Sequence, residues 1–197
     1  MRMVTVILAG GAGTRIGGDK PLRVLGGRPL IAHVVGRCAA PIWINAADPR
    51  LAQYGPLVPD LPSPGQGPLV GVWSALCQAA VEGVEAVLTV PVDTPFLPHD
   101  LAARLKAGLG DHPAAVAVTA DGWQPACALW RPRVAPVIAD HLAAGRWSLA
   151  GALRSVGAAP VPVSALDFSD KLTPLFFNIN TPADLADAEE RLKHGQD

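Results

Sequence analysis

Cysteine is scarce in this chain: there are three, at positions 38, 77 and 127, widely spaced and forming no Cys-x-x-Cys ligand pair. Reduced, mostly buried thiols are expected. No apolar run reaches the length of a membrane span, and the N-terminal run stops at Ala9 with only Arg2 as a basic flank. That run is too short for a secretory leader, so a cytoplasmic location with no membrane partner is expected. Charge of one sign is also missing. With 16 basic against 17 acidic residues, a broad basic face for nucleic acid is excluded, although a nucleotide needs only a local cluster. Long polar tracts are absent too. A chain of 197 residues, 50% of them apolar, can bury one good core, and a single globular domain is expected over 1–197.

What the chain does have is concentrated near its start. Val4 to Ala9 is a β-rich apolar run without polar alternation, which predicts a strand buried on both faces of a parallel sheet. It breaks into Gly10, Gly11, Gly13, Gly17 and Gly18, interleaved with Arg15 and followed by Lys20. Glycines there let backbone N–H groups approach an anion, Arg15 can clamp phosphate oxygens in a fork, and Lys20 adds a point charge. The same residues also suit a glycine-rich surface turn with solvated charges. The spacing is not the Walker pattern, because Pro21 follows Lys20 where that pattern needs Ser or Thr.

Downstream, strand and helix alternate. Gly26-Gly27-Arg28-Pro29 is a turn before an apolar-periodic helix from about Leu30 to Cys38, with His33 on it as a core or interfacial residue without a second metal ligand. Pro41–Asn45 is a second strand. Asn45 falls at its carboxyl end, where ligands sit in open α/β sheets, and it either reads a base or ribose or forms an Asx turn. Leu57–Asp60 is expected to be a short strand ending in a carboxylate that accepts from nucleobase N–H groups or ribose hydroxyls, or merely forms a turn. After a Pro- and Gly-rich segment, a helix from about Val70 to Val81 follows.

Ala86–Val90 reads as an interior strand that runs into Pro91-Val92-Asp93-Thr94-Pro95. A hard carboxylate at Asp93 suits Mg²⁺, and the competing role is a cap for the next helix, expected over His99–Ala107. From Ala114 the pattern changes. A strand to Thr119, a turn at Asp121-Gly122 and a strand at Gln124–Trp130 suggest an antiparallel addition forming the acceptor side of a cleft. Helices are expected over Val134–Ala144 and Ser148–Ser155. Arg146 and Arg154 either reach a phosphorylated acceptor or are ordinary exposed arginines, and Trp43, Trp123 and Trp147 either stack on a ligand or pack. Phe176–Asn180 is expected to return as a strand presenting Asn178 and Asn180 on one side, or satisfying backbone at a strand end. Thr181-Pro182-Ala183-Asp184 then starts a helix to about Lys193 with a capping box.

Leu8-Ala-Gly-Gly-Ala-Gly-Thr-Arg-Ile-Gly-Gly-Asp-Lys-Pro21 resembles the signature loop of nucleotidyltransferases with a Rossmann-like fold. Ile44-Asn-Ala46, Pro59-Asp60, Gly67-Pro-Leu69, Pro91-Val-Asp-Thr-Pro95, Asp167-Phe-Ser-Asp170 and Phe177-Asn-Ile-Asn-Thr-Pro182 extend the likeness over nearly the whole chain, to the molybdenum cofactor guanylyltransferases. The resemblance implies an α/β fold, a mostly parallel sheet flanked by helices with a small antiparallel addition. Residues 1 to about 110 would bind nucleotide and the remainder mainly the acceptor. It implies transfer of GMP from GTP to the terminal phosphate of molybdenum-molybdopterin with Mg²⁺ as cofactor. GTP would then lie on Leu8, Ala9, Gly10, Gly11, Lys20, Asn45, Asp60 and Asp93, with the metal on Asp93. Arg15, Lys20 and Asp93 would be catalytic, and Asn178 and Asn180 would face the pterin. A monomer is expected, with molybdoenzyme apoproteins or their chaperones as further partners. Two other readings stand beside it: a cytidylyltransferase, whose family tends to have a second Ala where Gly10 stands, and a non-catalytic nucleotide- or pterin-binding module.

Overall fold

A computed structural model describes residues 1–10, 19–39, 41–61, 67–163 and 175–193. Gly11, Gly13, Arg15, Gly17 and Gly18 of the glycine loop, and the segment Asp167–Lys171, lie outside the described residues.

In chain order the elements are β1 (Met3–Leu8), the hairpin β2 (Val24–Leu25) and β3 (Arg28–Pro29), α1 (Leu30–Arg37), β4 (Ile42–Asn45), α2 (Pro68–Val81) and β5 (Ala86–Pro91). The second half adds α3 (Leu101–Leu109), β6 (Ala114–Thr119), β7 (Gly122–Trp130), α4 (Ala135–Ala143), α5 (Leu149–Ser155), β8 (Ala159–Pro162) and α6 (Pro182–Lys193). The main sheet has the order β4-β1-β5-β7-β6-β8, and β7 alone runs against its neighbours.

The unbroken apolar run of β1 has the expected cause. Val4, Val6 and Leu8 pack into the core under α2, α4 and α5, while Ile7 enters the core under α1 and α3. Side chains alternate across a strand, so a strand covered on both faces needs apolar residues at every step. Thr5 is the exception, and its buried hydroxyl donates to Ala39 O at 3.0 Å. Trp130 fills the middle of the sheet with no exposure, and its indole N–H reaches the Thr89 hydroxyl at 3.1 Å. That hydroxyl in turn donates to Ala128 O at 3.2 Å, so the polar atoms joining β5 to β7 are satisfied.

Connectivity places a crevice at one end of this sheet. The chain passes from β1 to β4 on one side, then returns across β1 to β5 on the other. Asn45, Leu8 and Pro91 lie level at the carboxyl ends of the three strands. Such a reversal of strand order opens a gap that no crossover helix covers. A third cluster, Leu25, Leu30, Phe96, Ile179 and Ala188, anchors the β2–β3 hairpin and α6 beside that end. Gly26 and Gly27, at φ 55° and 79°, supply the left-handed pair that a two-residue hairpin requires.

Several expectations need correction. Leu57–Asp60 is not a strand: Leu57 makes one parallel bridge to Ile44, through Ile44 N to Pro56 O at 2.9 Å and Val58 N to Ile44 O at 2.8 Å. Val58 O, which would accept the next bond of the ladder, takes the Asn45 side-chain amide at 2.9 Å. Phe176–Asn180 is not a strand either, and its main-chain tie to the sheet end is Ile179 N to Asp93 O at 2.9 Å. The hairpin turn is Ala120-Asp121, one residue earlier than expected, because Thr119 pairs with Gly122. The third helix starts at Leu101 rather than His99. Finally, β8 is an element to which the sequence reading assigns nothing. It is an edge strand with Pro160 and Pro162 outward, where missing N–H groups also block pairing with another chain. Among the described residues no helix is long and apolar enough to cross a membrane.

Candidate active site

The crevice is a cleft of about 460 Å³ at the carboxyl ends of β1, β4 and β5. Leu8, Gly10, Lys20, Asn45, Asp60, Asp93, Asn178 and Asn180 all line it, eight of the eleven residues singled out from the sequence. Ala9 lies behind the lining: it is buried in the α1-side core, and its N–H donates to Asn45 O at 3.0 Å. Gly11 and Arg15 are outside the described residues.

Lys20 and Asp93 form the floor. Lys20 begins a short 3₁₀ turn, Lys20–Leu22, directly after Asp19. Asp19 has φ 47° and ψ 35°, the left-handed conformation that Asp tolerates better than most residues. It is the one non-glycine residue with positive φ among those described. Arg50 holds it in a fork, at 2.7 and 3.2 Å, and also grips Asp48. Hydrogen bonds from Arg50 hold both carboxyls below their ordinary value. The Lys20 ammonium is thereby aimed inward, where it donates to Asp93 Oδ2 at 2.6 Å and Asn180 Oδ1 at 2.7 Å.

Asp93 follows β5, and its side chain is directed to Lys20 and not to a helix end, so the capping role is not realised. Its Oδ1 is buried with no hydrogen-bond partner among the described residues. A buried carboxylate oxygen in that state costs about 1–3 kcal/mol, and functional sites are where such costs persist. Among the described residues no group of three or more His, Cys, Asp or Glu converges as a metal cage. Cys127 of β7 is no nucleophile, because burial, with Cys38 and Asp93 near, pushes its thiol well above the ordinary value.

The far wall comes from the C-terminal segment and the second half of the sheet. Asn178 and Asn180 both reach the cleft although no strand sets their alternation. The capping box does that work: Asp184 accepts from Asn180 N and Thr181 N, each at 2.8 Å, while Thr181 Oγ1 accepts from Asp184 N at 3.1 Å. Those amides hold the Asp184 carboxyl below its ordinary value. Ala126 and Leu149 add an apolar lip that the sequence did not single out.

On the opposite side Asn45 donates to Asp60 Oδ1 at 2.9 Å, and the Asx turn at the end of that strand is made by Asp48 instead, which accepts from Arg50 N. His33 is a satisfied packing residue whose Nε2 donates to Leu25 O at 2.8 Å. Trp43 packs in the core, Arg154 lies over the Trp123 ring at 5.4 Å, and Arg146 and Trp147 are exposed. No sequence signal linked Lys20 to Asn180, since the pair is 160 positions apart.

A three-layer α/β sheet with a crevice at the strand reversal, floored by a lysine on a carboxylate, fits the nucleotidyltransferase class that the sequence resembles. Known proteins agree. The model of the MobA-like NTP transferase domain matches residues 5–160, and the chain belongs to that family. It is 42% identical to a molybdenum cofactor guanylyltransferase of Cereibacter sphaeroides, with 98% of each chain covered. It is 41% identical to one of Acidiphilium cryptum, over 93% of this chain and 92% of that one. Among solved structures, the molybdopterin-guanine dinucleotide biosynthesis protein A of Archaeoglobus fulgidus superposes with a TM-score of 0.79 at 25% identity, covering 97% and 99% of the two chains. The 2-C-methyl-D-erythritol 4-phosphate cytidylyltransferase of Thermus thermophilus, at 20% identity and a TM-score of 0.70, shares the fold.

Proposed function

We propose that this chain transfers GMP from GTP to the terminal phosphate of molybdenum-molybdopterin, giving the pterin guanine dinucleotide and pyrophosphate. The observation that carries the reading is the Lys20–Asp93–Asn180 constellation, which joins the strand ends of the nucleotide half to the C-terminal segment within hydrogen-bond distance. An acceptor phosphate oxygen attacks the α-phosphorus, the bond to the bridging β-phosphate oxygen breaks, and pyrophosphate leaves with the electron pair. A phosphate monoester has a second pKa near ~6, so the nucleophile is already mostly dianionic at neutral pH. No general base is needed.

What remains is positioning of two mutually repelling anions and neutralisation of the leaving group. Lys20 holds phosphate oxygens, Gly10 and Gly11 of the loop bind the nucleotide, and Arg15 stabilises the charge that builds on the departing pyrophosphate. Asp93 would hold Mg²⁺, and Oδ1, without a partner among the described residues, fits that assignment because a cation would satisfy it. Once bound, the ion neutralises phosphate charge. Asp60 and Asn45 form the base side, with Leu8 along the nucleoside, and Asn178 and Asn180 face the pterin. Residues 1 to about 110 bind nucleotide and the rest mainly the acceptor, within one domain. Both walls come from one chain, so a monomer suffices, working in the cytoplasm and passing product to molybdoenzyme apoproteins or their chaperones.

Pyrophosphate release measured with GTP, CTP, ATP and UTP, with Mg²⁺ and molybdopterin as acceptor, tests the reading. Turnover with GTP alone, dependent on the pterin, is expected. A preference for CTP would move the chain to the cytidylyl branch, and binding without pyrophosphate release would make it a non-catalytic module.

A further inference from the structure

Asn45 is 3% exposed, and both of its amide hydrogens are spent inside the protein. Nδ2 donates to Val58 O and to Asp60 Oδ1, each at 2.9 Å. Both partners only accept, so the orientation of the amide is not in doubt. The other side of the amide lies against α2 at Gly71. A Cβ at that position would stand 2.0 Å from Asn45 Oδ1 and 2.7 Å from its Cγ, where no real side chain fits.

Gly71 is the one glycine inside the fourteen residues of α2, and its φ is not left-handed. Glycine in a helix interior costs about 1 kcal/mol relative to alanine, so no backbone reason keeps it there. Close approach to Asn45 is the reason the geometry gives. Asp60, for its part, sits on an extended segment held to the sheet by one bridge, and regular structure does not fix its carboxylate.

We propose that Gly71 and Asn45 are positioning residues for base selectivity: the bare helix surface at Gly71 seats the Asn45 amide, and the amide sets the plane of the Asp60 carboxylate. The inference rests on the reading of Asp60 as the acceptor of guanine N–H groups. Asn45 acts through Asp60 and contributes no N–H of its own to the base. A carboxylate has about four lone-pair sites, so Oδ1 can accept from Asn45 and still share in a two-pronged contact with guanine N1–H and N2–H₂. Only guanine offers that pair of adjacent donors. Discrimination therefore depends on the angle of the carboxylate, which Asn45 holds.

Equilibrium binding of GTP and of ITP, which lacks the 2-amino group, is measured by calorimetry with Mg²⁺ and no pterin, alongside thermal unfolding. Gly71→Ala is expected to shrink the GTP-over-ITP preference at least tenfold. Asn45→Ala is expected to do the same with the fold retained. In the Gly71→Ala/Asn45→Ala pair the overlap is relieved, so the melting temperature recovers while the preference does not. A preference that returned with the melting temperature would overturn the proposal, since Gly71 would then matter only for packing. The second cycle pairs Asn45→Ala with Asp60→Ala. If Asn45 works through Asp60, the double variant loses no more preference than Asp60→Ala alone; additive losses would mean that Asn45 meets the base independently, and the proposal would fail. Wild-type protein that bound GTP and ITP alike would instead overturn the reading of Asp60, and this inference with it.

Discussion

Replacing Asp93 with alanine sets two effects against each other. The carboxylate and Lys20 are 18% and 12% exposed and 2.6 Å apart, so they form a mostly buried ion pair. Removing one member of such a pair costs about 3–5 kcal/mol when burial is complete, and residual solvent brings this nearer ~2–3 kcal/mol. The same substitution removes Oδ1, a buried oxygen with no partner among the described residues, whose retention costs about 1–3 kcal/mol, and Lys20 keeps Asn180 Oδ1 at 2.7 Å. The two nearly cancel. We expect Asp93→Ala to lie within ~1 kcal/mol of the parent, a shift of about 2–4 °C in melting temperature for a chain of this size. Catalysis has no such compensation. Loss of the metal-holding carboxylate is expected to lower Mg²⁺-dependent pyrophosphate release at least ~1,000-fold, equivalent to about 4 kcal/mol of barrier. Mg²⁺ should raise the melting temperature of the parent and leave the variant unmoved. Near-parental turnover would refute the metal assignment, and a drop beyond ~10 °C would refute the balance drawn for Oδ1.

Three further outcomes are expected. A Cβ on Gly10 would meet Asn45 O, Asn45 Oδ1 and Asp60 Oδ2 at 3.7, 3.8 and 3.9 Å, ordinary contact distances, so Gly10→Ala should fold normally. Its methyl would sit beside the base-side groups, and a loss of about 1–3 kcal/mol in GTP relative to CTP is expected from kcat/KM ratios. Asp184→Ala removes the acceptor of two backbone N–H groups and should destabilise the chain by about 1–2 kcal/mol at pH 7. Because those amides lower the Asp184 carboxyl from its ordinary 3.8, its stabilisation is present above that value and is lost as pH falls through the lowered one. Parent and variant melting curves should therefore converge in acid. Burial pushes the Cys38 thiol up from 9.0 to about 12, so at pH 8 its alkylation in the native protein should be about a thousandfold slower than after unfolding. The sign at alkaline pH is opposite to that of Asp184. This contribution to stability is complete below pH 9 and is lost as pH rises towards 12.

What the sequence determined by itself was local. The β1 run, the α2 helix within two residues of its start, β5 and the capping box at Thr181 were legible, because hydrophobic period and cap chemistry act over a few residues. Most of the cleft-lining side chains were legible too, through their likeness to a family pattern. Partners were not. That β7 lies between β5 and β6, that Leu57 makes one bridge and no strand, and that a proline-rich stretch is the edge strand β8 depend on which backbone stands alongside, and local propensity carries no such information. Tertiary structure alone decided that Lys20 meets both Asp93 and Asn180, and that Asn45 turns its amide inward against Gly71 to hold Asp60. These contacts join residues far apart in the chain, and their distances follow from how helices and sheet close on one another rather than from any residue's own preference.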